Sequence, residues 1–230
     1  LSASTLQNNL SIFRTFAEWI GKAGMVRDLE HYLGSGTTAR SSIAREDKSW
    51  LGRGIDVAAK IEQVRQRDAR VALQLELQLA FGLRAREAMQ LRPHLADKGT
   101  YISITHGTKG GRDRVEPIRT PEQRALLDRA KTFCATRSSS TSDPQRKLSQ
   151  WKNHYYQVVR SCGITRKDSI TSHGLRHQYA NERYRELTGS ASPVRGGSPV
   201  DRDVDRAARH VVGEELGHSR EDVTTHYLGR

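Results

Sequence analysis

The stretch LQLELQL, residues 73–79, alternates apolar and polar side chains as a half-buried strand does. Its composition points the other way. Ala, Leu, Gln and Glu favour a helix, and no β-branched residue follows Val71 within the segment 70–82. A helix is therefore expected over 70–82, with another over 54–68. That choice makes the chain mainly helical.

Working toward the N-terminus, Leu6, Leu10, Phe13, Ala17 and Ile20 recur at three- and four-residue steps, which predicts an amphipathic helix over 4–23. A short helix is expected over 26–32. GSGTTARSS, residues 34–42, has no periodicity and reads as a linker. Roughly forty residues are too few for an independent core. The expected division is a partial N-terminal domain over 1–40, a linker over 41–50 and a main domain over 51–230.

Toward the C-terminus, YISIT (101–105) and DRVEPI (113–118) flank the turn HGTKGGR, a β-hairpin pattern. TPEQ (120–123) offers Thr120 as N-cap, Pro121 at the first helical position and Gln123 to complete a capping box, so a helix should run to about residue 131. RSSSTSDPQ (137–145) reads as a loop. Helices follow over 148–160 and over 173–187, the latter stopped by Gly189. GSASPVRGGSPVDR (189–202) reads as a flexible polar loop. Helices over 203–216 and 220–227 close the chain, the last capped by Ser219 with Asp222 three on. No internal repeat occurs. The expected class is mainly α (α+β), with one small antiparallel sheet.

The chain has 230 residues, with 38 Lys and Arg against 26 Asp and Glu, a net charge of +12. That excess favours a polyanionic partner, above all nucleic acid. The basic residues are spread along the chain and form no single amphipathic helix, which argues against a membrane surface. No apolar run approaches the roughly 20 residues of a membrane span, and LSASTLQNNL has no secretory pattern. Two cysteines, Cys134 and Cys162, suit a reducing, cytoplasmic setting better than a disulfide framework. No methionine precedes Leu1, so a piece of a longer protein is expected.

Several residues stand out, each with a plain alternative. In SHGLRHQYA (172–180), His173 and Arg176 share a helix face, a pairing that suits a phosphate. Alone, the pair is more often a solvated basic face. His173 and His177 have a spacing seen in zinc sites, yet no third ligand is obvious. In FGLRAREAMQLRP (81–93), Arg84 follows a helix junction with Glu87 near enough to fix it. Lys109, Arg112 and Arg114 lie on or beside the hairpin turn. GTKGGR is not a phosphate-binding P-loop, because a strand follows it. His218 precedes Tyr227 by nine positions. A tyrosine, with a solution pKa of about 10, becomes a useful nucleophile only where cations stabilise its oxyanion.

Taken together and in order, GLRAREAMQLR, GTKGGRDRVEPI, HGLRHQYA and LGHSREDVTTHYL resemble the tyrosine recombinase (phage integrase) family, over about residue 50 to the end. The wording HGLRHQYANERYRELTG looks most like integrases of mobile and conjugative elements. The resemblance implies a helical catalytic domain preceded by the tail of a core-binding domain. It implies that Arg84 and Arg176 grip the scissile phosphate and that His218 adds a hydrogen bond to it. His173 would help proton transfer at the tyrosine, Lys109 would protonate the leaving 5′-oxygen, and Tyr227 would form a 3′-phosphotyrosyl link. Glu87 and His177 would support them, while Arg112 and Arg114 would lie near the DNA backbone. No metal, ATP or other cofactor is implied. The implied partner is double-stranded DNA at a recombination site, held by a homotetramer on two duplexes, with room for accessory DNA-bending proteins.

Two features depart from the family pattern. His218 lies 42 positions after Arg176, further than usual, and the extra length maps onto 189–202. The chain also ends three residues after Tyr227, where many relatives continue into a tail that docks on the next protomer. The competing readings are a type IB topoisomerase on the same fold, a catalytically silent DNA-binding protein on that scaffold and, more remotely, a metal hydrolase.

Overall fold

A computed structural model of the chain describes residues 2–34, 43–218 and 221–230. They form two compact units, Leu1–Ser42 and Ile43–Arg230. In the smaller unit, α1 (Ala3–Trp19) is capped by Ser2, whose Oγ accepts from the Thr5 amide at 3.2 Å. A short α2 (Leu29–Leu33) follows. Arg14 joins the two by donating to Asp28 Oδ1 at 2.6 Å and to the Arg27 carbonyl at 3.0 Å. Of the stripe expected on the first helix, Ala17 is buried while Phe13 and Ile20 are exposed. The linker signature falls largely on 35–42, outside the described residues.

From Ile43 on, the segment read as connecting chain belongs to the larger unit. The Ala44 amide donates to the Thr225 carbonyl at 2.9 Å, and the fully buried Trp50 donates its indole N–H to the Thr171 carbonyl at 2.7 Å. A turn at Leu51–Arg53 leads into α3 (Val57–Arg65) and α4 (Ala69–Phe81). The Asp68 carboxylate starts α4 by accepting from the Arg70 and Val71 amides at 2.9 Å.

The alternation in LQLELQL has its physical reason here. Helix α4 is buried on two sides: Val71, Ala72 and Leu75 enter one core with Trp50, Trp151 and Tyr155, and Leu73, Leu77 and Phe81 enter another with Leu83, Ile102 and Leu127. The glutamines between them are buried too. Gln74 accepts from the Trp151 indole N–H at 3.1 Å, and Gln78 donates to the Tyr155 hydroxyl at 2.8 Å. A helix packed all round needs no polar face, and each buried amide finds a partner.

Next come α5 (Ala85–Gln90) and α6 (Pro93–Ala96), both too short to leave a periodic signal. The hairpin is present as β1 (Tyr101–Ile104) and β2 (Arg114–Pro117), paired antiparallel with Ile102 opposite Glu116 and Ile104 opposite Arg114. Arg114 and Glu116 face inward while Val115 is 56% exposed, the reverse of the usual alternation. Helix α7 (Pro121–Thr132) has both halves of the expected capping box: Thr120 Oγ1 accepts from the Gln123 amide, and Gln123 Oε1 from the Thr120 amide, each at 3.2 Å.

Helices α8 (Leu148–Ser161) and α9 (His173–Thr188) agree with expectation, and Gly189 ends α9 with φ +73°. The loop 189–202 is not the loose segment its composition suggests. Ser192 is fully buried and donates to Asn181 Oδ1. Arg195 donates to Asp47 at 2.8 Å, Glu182 at 2.9 Å and Ser49 at 3.1 Å. After α10 (Arg202–Glu215), the expected final helix is a 3-10 turn at Glu221–Thr224 leading into the four-residue α11 (Thr225–Leu228). The cap assigned to Ser219 and Asp222 lies outside the described side chains. Among the described residues, no helix is long and apolar enough to cross a membrane.

Candidate active site

Gly82 ends α4 in the left-handed region, φ +57°, against the Tyr179 ring. A Cβ there would stand 2.6 Å from Tyr179 Cδ1, so glycine alone fits both the turn and the contact. The turn delivers Arg84 to the N-cap of α5. Glu87, one turn on, accepts from the Arg84 amide through Oε2 and from its Nη1 through Oε1, both at 2.7 Å. Arg84 Nη2 also donates to the Leu216 carbonyl at 3.3 Å.

Arg176 is fully buried on the first turns of α9. Its Nη1 donates to the Gly82 carbonyl and its Nη2 to the Leu216 carbonyl. These are the C-cap residues of α4 and α10, so one guanidinium serves the open carbonyls of two helices. Arg176 Nε donates to the Tyr227 hydroxyl at 3.3 Å, and Nη2 lies 3.4 Å from His218 Nε2. An arginine can only donate, so His218 Nε2 is the acceptor in this arrangement.

Tyr227 sits on α11, 5% exposed, among Tyr179, Ala180, Tyr184, Val212 and Leu216. Its helix is held by Arg209, which donates to the Gly229 carbonyl at 3.0 Å, and by Asn181, which donates to the Tyr227 carbonyl at 3.3 Å. Three imidazoles ring the phenol, with centroids 4.7 Å (His177), 5.8 Å (His218) and 6.0 Å (His173) from its own.

This concentration of charge shapes the ionisation of each group. Burial, then Arg176 and Arg84, brings His173 down to about 4. Burial and His173 bring His177 to about 3, and burial with Arg176 and Arg84 brings His218 to about 4. All three are neutral near pH 7. Burial lowers Arg176 to about 10, which leaves it charged. Burial works to raise Glu87, but Arg114, Arg176 and Arg84 outweigh it and keep the carboxylate ionised.

The site therefore unites Arg84, Glu87, His173, Arg176, His177, His218 and Tyr227. Lys109 and Arg112 are apart from them, exposed on the hairpin turn. Arg114, read from the sequence as a residue at the DNA backbone, is 8% exposed and points into the site, its Nη2 3.0 Å from Glu87 Oε2. No local signal would have found it, because the alternation of DRVEPI favours Val115 as the buried residue.

A second charged cluster escaped sequence reading altogether. The Tyr179 hydroxyl lies between the carboxylates of Glu116 and Glu215, donating to Glu116 and 2.8 Å from Glu215 Oε2. Arg119 reaches the Tyr179 hydroxyl at 3.0 Å, and Arg183 reaches Glu215 at 3.0 Å. Burial and the neighbouring Glu215 push Glu116 up to about 8. Its members come from three separate stretches, at 116–119, 179–183 and 215, so nothing local announces the cluster.

No group of three or more His, Cys, Asp or Glu side chains that could hold a metal ion occurs among the described residues. What the site does offer is a phenol hydroxyl next to converging guanidiniums and neutral imidazoles. Such a set can bind a tetrahedral anion and present an oxygen nucleophile to it.

Comparison with known proteins agrees with this geometry. The chain is similar in fold to a lambda integrase fragment described as a dimer bound to a COC′ core site, at 15% identity over 98% of this chain and 73% of that one, with a TM-score of 0.60. A second lambda integrase dimer on a COC′ core site gives 14% identity, 98% and 59% coverage and a TM-score of 0.59. The XerH site-specific recombinase bound to a palindromic difH substrate, in a post-cleavage complex, gives 15% identity, 84% and 51% coverage and a TM-score of 0.51. No curated protein matches the chain. The family model described as Integrase matches residues 40–182, a span that carries Arg84, Glu87, Lys109, His173 and Arg176 and stops short of His218 and Tyr227. With more than half of its length matched to that model and its fold shared with these recombinases, the chain belongs to the integrase family of tyrosine recombinases.

Proposed function

We propose that this chain cuts and rejoins double-stranded DNA at specific sites through a covalent tyrosyl link. The observation that carries the reading is the Tyr227 hydroxyl, 3.3 Å from Arg176 Nε inside a ring of three imidazoles. The phenol oxygen attacks the scissile phosphorus. A bond forms from Tyr227 Oη to the 3′-phosphate, and the bond to the 5′-oxygen breaks. His173, neutral near pH 7, accepts the phenolic proton. Arg84 and Arg176 bind the non-bridging oxygens, and His218 adds a hydrogen bond as charge builds on them. Lys109 gives a proton to the departing 5′-oxygen once DNA lies across the hairpin. Glu87 and His177 support these groups. Because the phosphodiester is conserved as the tyrosyl ester, rejoining is the same path in reverse and needs no ATP.

The larger unit is the catalytic domain in this reading, and the smaller unit is part of a core-binding domain. The net charge of +12 supports a duplex partner gripped largely through its backbone. The recombinases of similar fold are described on DNA core sites, two of them as dimers, which supports the same partner here. A homotetramer on two duplexes in a cytoplasmic, nucleoid-bound setting follows from the same reading.

Covalent capture tests it. The protein is mixed with a pool of nicked duplexes of random sequence, with EDTA present, and the DNA bound to protein after denaturation is isolated and sequenced. A Tyr227-dependent adduct on a narrow set of sequences is the expected result. Tyr227→Phe should abolish it while keeping DNA binding. A Tyr227→Phe protein that still cleaves refutes the mechanism, and an adduct on nearly any sequence identifies a relaxing enzyme instead.

A further inference from the structure

We propose that Arg114 is a positioning residue of the strand-cleavage site: from β2 it fixes Glu87, and through Glu87 it sets the guanidinium of Arg84 that meets the phosphate. This rests on the function proposed above and goes beyond it, since it moves Arg114 from the DNA backbone to the inside of the site.

The first support is the direction of the side chain. Arg114 points inward where a strand of this sequence would bury Val115 instead. The space it fills is made for it. Gly217, next to His218, has φ +63°, and a Cβ there would stand 2.8 Å from Arg114 Cδ and 3.2 Å from Nε.

The second is the division of labour at Glu87. Its Oε1 holds Arg84 Nη1 at 2.7 Å, and its Oε2 takes the Arg84 amide at 2.7 Å and Arg114 Nη2 at 3.0 Å. Arg176 Nη1 stands further off at 3.9 Å. Glu87 and Arg176 have fully buried side chains, Arg114 is 5% exposed, and Arg84 is 21% exposed. Arg84 is thus the most exposed member of the set. Arg114 acts on a ligand through what it holds.

The third is cost. Arg114 Nε and Nη1 are buried with no hydrogen-bond partner. A guanidinium buried with unpaired N–H groups is unfavourable, and a buried ion pair is often no better for stability than packed apolar residues in place of both partners. The charge is retained because Glu87 needs it. Among the cations facing Glu87 (Arg84 before α5, Arg114 on β2, Arg176 on α9), Arg114 contributes most to keeping that carboxylate ionised against burial. A protonated Glu87 would lose its grip on Arg84.

The test is single-turnover formation of the tyrosyl adduct at saturating nicked duplex, across pH, in wild type, Arg114→Met and Arg114→Lys. Arg114→Met should react about tenfold or more slowly, since a small misplacement of a binding group costs rate. Its acid limb should move to higher pH as Glu87 protonates more easily. DNA affinity should change little. Arg114→Lys should recover most of the rate, because an ammonium keeps the charge. Arg114→Gln replaces Arg114→Met in the same comparison if the latter does not fold. Wild-type rate and pH profile in Arg114→Met overturn the proposal. So does a loss that is uniform in pH and equal in Arg114→Lys, which marks packing alone. A wild type that forms no adduct overturns the underlying function, and this inference with it.

Discussion

Arg176 and Lys109 are both proposed to act on one phosphodiester, yet they sit in opposite surroundings. Arg176 has no solvent exposure and is fixed by two backbone carbonyls, a phenol and a nearby imidazole. Lys109 stands in solvent on a turn whose neighbours Gly110 and Gly111 both have positive φ. In the proposed reading, the grip on the anion is built before any ligand arrives, and the proton donor takes its position only with the ligand. Preorganised donors lose no reorganisation energy at the moment of reaction, while a donor on an exposed turn can enter and leave with the strand.

Four measurements would sharpen or break that contrast. Arg176→Ala should have the largest effect. It should slow adduct formation about a thousandfold and lower stability by about 3 kcal/mol by denaturant titration, because Glu87 and two helix-end carbonyls lose a buried partner. Lys109→Ala should leave stability unchanged but slow cleavage about a hundredfold. A 5′-sulfur leaving group, which needs no proton, should restore most of that loss. Equal stability losses in the two variants would erase the distinction between built and delivered halves.

The third measurement is melting temperature against pH. His173, His177 and His218 hold their folded values at about 4, 3 and 4. Below about pH 6.5 the unfolded chain takes up protons that the folded chain refuses, so stability falls as pH drops from there. Glu116 acts in the opposite sense. The folded chain keeps its proton up to about 8, whereas the unfolded chain loses it above about 4.5. Its contribution is full at low pH and is lost as pH rises toward 8. Three histidines against one carboxyl place the maximum between about pH 6 and 7. Glu116→Gln should flatten the alkaline side, and an unchanged curve would refute the assignment. Smallest of all, Arg112→Ala should leave stability and cleavage chemistry unchanged and reduce the salt dependence of DNA binding by about one counterion.

Much of this was legible in the sequence, for identifiable reasons. The capping box at Thr120 and the hairpin at 101–118 are local features, and the local chemistry that specifies them is printed in consecutive residues. Helix α4 was legible from composition even though its alternation imitates a strand, because two cores rather than one face set its pattern. Helices α5 and α6 were not, being shorter than two turns of periodicity. The loop 189–202 is rich in Gly, Ser and Pro and reads as loose, yet Ser192 and Arg195 pin it through partners at Asn181, Asp47, Ser49 and Glu182. Arg114 was misjudged for the same reason. Its partner Glu87 is 27 residues away, and no local pattern shows that pairing.

The two carbonyls held by Arg176 have a practical consequence for anyone choosing an inactive version of the protein. Replacing that arginine would uncap the end of α4, leave the end of α10 to Arg84 alone and disturb the platform on which Tyr227 rests, so weakened binding by such a protein would report on folding as much as on phosphate recognition. Tyr227→Phe removes one oxygen that accepts one hydrogen bond from Arg176 Nε and leaves both helix ends closed. It is the better silent reagent for trapping DNA targets.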